Sequence, residues 1–338
     1  MRLGLVGYGA GGRLFHAPYI AAVPEIDLVG VVTRNPERRA EVAADLPEVG
    51  VYDSLPDLLD AGVDAVTITT PPDTRRDLVL DAVARGVHVV ADKPFAPNAA
   101  GGRELADAAD RAGVLLSVFH NRRWDTDVET VRRILPRLGE VWRVESRFDL
   151  DEPGSLDAGP SGGLLRDLGA HLVDQVLTLF GPAVSVTAHL DRIDQPEGAT
   201  DCGFIVGIDH RSGVHSTVSA SKINHLSARQ WRIHGSEGAY VSDGTDVQID
   251  QIKQGRRPAD DLASWGYERP DRLGTLHTAQ GVESVPSAQG RYDEFYRQFA
   301  AAVEHQSAQP VPASDGVATL AVLDAALRSA DLGETVRL

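Results

Sequence analysis

Asp167, His171 and Asp174 have the residue types for acid–base chemistry, at a spacing that a helix would bring to one face. An imidazole, with an ordinary pKa of about 6.5, suits reversible proton transfer near neutral pH. The surrounding residues 163–180 read as a helix, because Leu165, Leu168, Leu172 and Val176 recur away from the polar stripe. Gly169 interrupts this helix at a cost of about 1 kcal/mol relative to alanine. It is therefore expected to allow close approach of another backbone or a ligand. A chain this rich in aspartate supplies one such Asp/His pair by chance, so the spacing needs support from elsewhere. The pair could also ligate a metal, but no third ligand clusters with it and no metal is expected.

Support comes from two earlier motifs. Gly7-Tyr8-Gly9-Ala10-Gly11-Gly12 satisfies G-x-G-x-x-G directly after the apolar run Arg2 to Val6, which is the strand-to-helix setting of a dinucleotide fingerprint. Gly7 permits the tight turn, Gly9 lets the main chain approach a pyrophosphate, and Gly12 lets the helix pack on the strand, while the helix N-terminus favours the anion. Asp92-Lys93-Pro94 follows a later strand, where the Lys93 ammonium could hold a substrate hydroxyl and stabilise negative charge developing on it. Lys93 is one of only three lysines, with Lys222 and Lys253.

The elements that must position these groups alternate along the N-terminal part. Short strands are expected at 28–32, 49–52, 65–69, 88–91 and 114–119. Helices between them are signalled by Ser54 and Asn98 as N-caps and by Gly86 and Gly113 as stops. This is the pattern of an α/β doubly wound parallel sheet, a Rossmann domain over residues 1–120. Pro18 should bend or stop the first helix near Phe15 to Ala17. Ligands of such sheets lie outside the carboxyl ends of the strands, which here carry Gly7 to Gly12, Thr33-Arg34, Thr70-Pro71, Lys93 and Asn121-Arg122. At the end of the second strand, NAD-binding chains place an acidic residue on the ribose 2′-hydroxyl. This chain has Thr33-Arg34 there, a pair that would accept a 2′-phosphate, so NADP(H) is expected over NAD(H).

From residue 121 onward the alternation of parallel strand and helix ends. Trp142 to Leu150 alternates as a half-buried strand, and further strands are expected at 183–190, 203–209, 214–221 and 230–234. Residues 121–338 therefore read as an α+β domain with a large open, mainly antiparallel sheet. Residues 253–290 look like a long functional loop around Trp265 and Gly266, and two helices near 291–304 and 314–330 close the chain.

Composition excludes several function classes. A net charge of −16 argues against nucleic acid, whose phosphates call for lysine and arginine. Cys202 is the single cysteine, so neither an intrachain disulfide nor a cysteine-rich zinc site can form. No apolar run resembles a signal peptide or a membrane span, and a cytoplasmic protein with no membrane partner is expected.

Taken together, the Gly7–Gly12 turn, Asp92-Lys93-Pro94, and Gly162-Gly163 followed by Asp167, His171 and Asp174 resemble the Gfo/Idh/MocA oxidoreductase family over essentially the whole chain. Within that family, Phe15-His16-Ala17-Pro18 and His120-Asn121-Arg122-Arg123-Trp124 resemble the NADP-dependent scyllo-inositol dehydrogenases. Asp92 stands where glutamate is usual, and Arg75 where many members have histidine.

The resemblance implies an enzyme of the EC 1.1.1 type that interconverts a ring secondary alcohol and a ketone on a cyclic polyol or sugar. It implies that His171 takes the hydroxyl proton, that Asp167 orients the ring or binds a hydroxyl, and that Lys93 stabilises the alkoxide. Asn121 and Arg122 would bind neighbouring hydroxyls, and Gly7, Tyr8, Gly9, Gly12, Thr33, Arg34, Thr70, Pro71 and Lys93 would line the cofactor. It further implies a homodimer or homotetramer through the C-terminal sheet. The alternatives are a dehydrogenase of a hexose or glycoside and a non-catalytic NAD(P)-binding sensor.

Overall fold

The computed structural model describes residues 1–159 and 162–338. Two compact units emerge. One comprises Met1–Asn121, Gly255–Ala263 and Tyr292–Val317, and the other Arg122–Gln254, Ser264–Arg291 and Ala318–Leu338.

In the first unit, β1 (Arg2–Val6), β2 (Asp27–Val32), β3 (Gly50–Tyr52), β4 (Ala65–Ile68), β5 (His88–Ala91) and β6 (Leu116–Val118) form a parallel sheet in the order β3-β2-β1-β4-β5-β6. The strand order reverses between β1 and β4, the switch point at which such sheets bind ligands. Strand interiors are dry: Leu3, Leu5, Val66, Ile68, Val89 and Val90 are fully buried, as parallel strands covered on both faces require.

A π-helical turn at Gly11–His16 runs into α1 (Ala17–Ile20), which has Pro18 in its first turn, where the missing N–H removes no helical bond. The break expected near Phe15 to Ala17 falls at this junction. α2 (Pro36–Asp45) is capped by Asn35, whose side chain accepts from the N–H groups of Glu37 and Arg38. Ser54 and Asn98 cap α3 (Leu55–Asp60) and α5 (Ala99–Ala112) in the same way, with α4 (Pro72–Ala84) between them.

The second unit opens with α6 (Thr126–Ile134) and β7 (Val141–Asp149), followed by a π-helical turn at Leu165–Gly169 and α7 (Ala170–Phe180). Next come β8 (Ala183–Gln195), β9 (Gly198–His210), β10 (His215–Ser221), β11 (Ala228–Gly235), β12 (Gly238–Gly244), α8 (Val247–Lys253), β13 (Gly274–Thr278) and β14 (Gly281–Val285). With the terminal β15 (Val336–Arg337) these strands make a nine-stranded sheet, β14-β13-β12-β11-β7-β10-β9-β8-β15. Its pairs are antiparallel except β7 with β10, which run parallel.

The loop expected over 253–290 is a correction: it contains the β13–β14 hairpin, and Trp265 is a fully buried core residue whose indole N–H donates to Gln248 Oε1 at 3.1 Å. The hairpin escaped notice because β14 is a sheet-edge strand exposed along most of its length, without the apolar alternation of a half-buried strand.

Two helices, α9 (Asp293–His305) and α10 (Ala313–Leu332), close the chain. Between them, Val311 and Pro312 cover the free edge of β6: the Val118 N–H and the Ser117 hydroxyl both donate to the Val311 carbonyl, at 3.0 and 2.8 Å. Among the described residues no helix is long and apolar enough to cross a membrane.

Candidate active site

Gly7 leaves β1 with a φ of 102°, a conformation that side chains rarely adopt, and a Cβ there would lie 2.8 Å from Thr69 Oγ1. A Cβ on Gly12 would sit 2.3 Å from the Gly7 carbonyl oxygen, so the helical turn packs on the strand only because both residues are glycine. Gly9, between them, has nothing within 4 Å of its Cβ position. Main-chain N–H groups beside open space at a helix start form the cradle that a pyrophosphate needs, so these residues fit a dinucleotide.

The Tyr8 ring is buried, and its hydroxyl donates to Asp45 Oδ2 at 3.1 Å; burial, with Asp45 next, pushes the phenol pKa well up. Beyond β2, Thr33 is buried and its N–H donates to the Tyr52 carbonyl, while Arg34 is exposed. Thr33, Arg34 and Asn35 include no carboxylate.

Arg75 joins the loops that carry Thr70-Pro71 and Lys93. Buried to 3% exposure, its guanidinium donates to the carbonyls of Thr70 at 2.6 Å and Asp92 at 2.7 Å, and to that of Pro94. The Lys93 N–H is held by Asp92 Oδ1 at 2.8 Å, and the peptide to Pro94 is cis. Burial alone would raise the Asp92 pKa. His16, then Arg75 and Lys93, more than offset it and hold the carboxyl at about 2. His16 is itself fully buried, with Nδ1 2.5 Å from the Tyr296 hydroxyl and Nε2 3.6 Å from Asp92 Oδ2, a distance too long for a good hydrogen bond. Asn121, at the end of this unit, is buried.

In the second unit Asp167 lies in the π-helical turn and His171 in the first turn of α7. The turn starts where the Leu165 N–H donates to Asp201 Oδ2 at 2.6 Å. Asp167 keeps 34% side-chain exposure and is paired through Oδ2 with the buried Lys222 ammonium at 2.8 Å. His171 is 7% exposed. Asp174, the third member of the stripe, is buried and clasped by Arg123, with Nε and Nη2 at 2.8 and 2.6 Å from its two oxygens. The helix is thus tied to the sheet, through Lys222 and Asp201, and to the 3-10 turn Asn121–Trp124 through Arg123.

Arg122, expected on substrate hydroxyls, is engaged by carboxylates of its own unit. Its guanidinium meets both oxygens of Asp246 at 2.9 and 2.8 Å, approaches Asp125 at 3.4 Å, and lies 4.9 Å from the Phe148 ring centre. Arg229 lies 4.6 Å from the same ring and holds Asp127 at 2.7 and 3.0 Å, and Asp125 also. Burial pushes the Asp125 pKa up. For Asp246 burial is outweighed by the charge and hydrogen bonds of Arg122, and its pKa falls.

Gly169 is a packing glycine rather than a ligand-facing one. A Cβ there would meet Leu165 Cδ1 at 2.9 Å and Phe204 Cζ at 3.4 Å, so the residue lets the helix approach β9. Lys222 and Asp201 carried no motif in the sequence, and Arg123 stood only within the His120–Trp124 stretch with no role of its own; the scarcity of lysine was the one signal at Lys222. Among the described residues no three His, Cys, Asp or Glu side chains cluster as a metal site would require.

Residues 1–120 match the family model described as "Oxidoreductase family, NAD-binding Rossmann fold", and residues 134–338 match "Oxidoreductase family, C-terminal alpha/beta domain". The scyllo-inositol 2-dehydrogenase (NADP(+)) IolW of Bacillus subtilis is 31% identical over 100% of this chain and 96% of its own length. The oxidoreductase YdgJ of Escherichia coli is 36% identical over 98% of this chain and 96% of its own. A solved structure of the Bacillus subtilis oxidoreductase YvaA superposes with a TM-score of 0.90, at 31% identity and 100% coverage of both chains. The chain therefore belongs to the Gfo/Idh/MocA oxidoreductases and is an NAD(P)-dependent dehydrogenase acting on CH–OH groups.

Proposed function

We propose that this enzyme interconverts a ring secondary alcohol and a ketone on a cyclic polyol of the inositol type, with NADP(H) preferred to NAD(H). The observation that carries the reading is the Asp167–His171 pair, one turn apart on a helix, in a chain that keeps Lys93 after β5 and is similar over its full length to an NADP-dependent inositol dehydrogenase. The absence of a carboxylate in Thr33-Arg34-Asn35, with Arg34 exposed, supports the cofactor preference.

Gly7, Gly9, Gly12, Thr70 and Pro71 would hold the dinucleotide, which when bound supplies a hydride acceptor at the nicotinamide. His171 accepts the hydroxyl proton as the alcohol is oxidised and returns it in the reverse direction. Asp167 binds a ring hydroxyl or orients the imidazole. The Lys93 ammonium stabilises negative charge as it develops on the oxygen. Exposed Trp142 on β7 and Ile205 on β9 support a homo-oligomer in which another copy covers the open sheet.

A panel of inositols, hexoses and glycosides, followed by absorbance of the reduced cofactor with NADP and with NAD, tests the reading. Oxidation of an inositol with NADP is expected, and a protein that oxidises no member of the panel ends it. In the same assay His171→Ala should lower kcat by about 10²- to 10⁴-fold while the protein still binds NADPH.

A further inference from the structure

Lys222 follows the last residue of β10, a strand flanked by β7 on one side and β9 on the other. Its N–H donates to the Cys202 carbonyl at 3.1 Å, extending the pairing with β9, so its main chain is anchored inside the nine-stranded sheet. The side chain is 5% exposed, and its ammonium reaches two oxygens: Asp167 Oδ2 at 2.8 Å and the Ser155 carbonyl at 3.1 Å. Burying an ammonium is costly, and an apolar side chain of similar volume commonly serves stability as well or better. The charge is therefore better explained by what it holds than by the fold. What it holds is the only partly exposed member of the polar stripe, since Asp167 keeps 34% side-chain exposure while His171 and Asp174 are buried.

We propose that Lys222 is a positioning residue for the dehydrogenase: it pins one oxygen of Asp167 to the sheet and so fixes the direction in which the carboxylate meets the hydroxyls of a polyol. Lys222 touches no reacting atom and acts only through Asp167. The strand supplies the anchor, because Lys222 sits next to β10 inside the sheet, whereas Asp167 lies in a π-helical turn, a feature found mostly at functional sites. The inference rests on the reading of Asp167 as a polyol-binding or orienting group.

The test compares Lys222→Met, Lys222→Arg, Asp167→Asn and the Asp167→Asn/Lys222→Met double variant, in turnover with an inositol and NADP and in crystal structures. Lys222→Met is expected to lower kcat/KM by about 10²-fold, the scale of a roughly 1 Å misplacement, with NADPH affinity unchanged by fluorescence titration. Lys222→Arg should recover most of the loss. Because Lys222 acts through Asp167, the double variant should be no slower than Asp167→Asn alone. The crystal structure of Lys222→Met should show the Asp167 carboxylate displaced. Full activity in Lys222→Met, a double variant slowed by both losses, or an Asp167 carboxylate that keeps its place would each overturn the inference. If Lys222→Met does not fold, Lys222→Leu, which fills the space without a hydrogen-bond donor, takes its place with the same expectations. Should the parent protein oxidise no polyol, the dehydrogenase reading fails on that result, while the crystal comparison still decides whether Lys222 places Asp167.

Discussion

The turn at Gly7–Gly12 is built from main chain, whereas the helix carrying Asp167 and His171 is held by side chains from distant parts of the second unit. At the turn, a positive φ at Gly7 and a carbonyl 2.3 Å from the missing Cβ of Gly12 fix the geometry within six residues. The helix takes Asp201 at its start, Lys222 at Asp167 and Arg123 at Asp174. A main-chain site tolerates no side chain at a few positions, and a side-chain site tolerates no unpaired charge.

This contrast can be broken most forcefully at Asp174. Replacing it by alanine leaves the Arg123 guanidinium buried without its carboxylate, which should cost about 3–5 kcal/mol of stability, read as a shift in urea midpoint. An Asp174→Ala protein as stable as the parent would mean that the helix does not depend on its ion pair. Gly12→Val is the matching change at the turn. Overpacking against the Gly7 carbonyl should cost about 1–3 kcal/mol and raise the NADPH dissociation constant by tenfold or more, measured by fluorescence titration; unchanged binding would show that the turn can give way. Arg34→Glu should be the mildest. Removing an exposed cation and adding a carboxylate beside a 2′-phosphate should lower the NADP-to-NAD ratio of kcat/KM by about tenfold, or about 1.4 kcal/mol, with stability unchanged, and a constant ratio would detach Arg34 from cofactor choice.

The same contrast explains what was legible in the sequence. The parallel sheet, its helix caps and the glycine turn depend on neighbours in the chain, so Ser54, Asn98 and Gly113 announced them at fixed offsets. Asp167 and His171 were legible as a periodic pair. Their holders were not, because Lys222 lies 55 residues and Asp201 36 residues from what they grip, and no local pattern marks such a partner. Gly169 was visible, but its meaning depended on Phe204, which lies on β9. The β13–β14 hairpin was missed for a related reason: a polar edge strand carries little periodicity to read.

The strip at Val311–Pro312 bears on how the chain emerges from a ribosome. All six strands of the parallel sheet and the whole glycine turn have been made by residue 118, yet the outer rim of β6 waits for residues nearly two hundred positions later. In that interval the nascent sheet offers open N–H and C=O groups to any passing strand, the kind of rim that seeds aggregation. The cofactor-binding unit is thus complete in its chemistry long before it is closed against its neighbours.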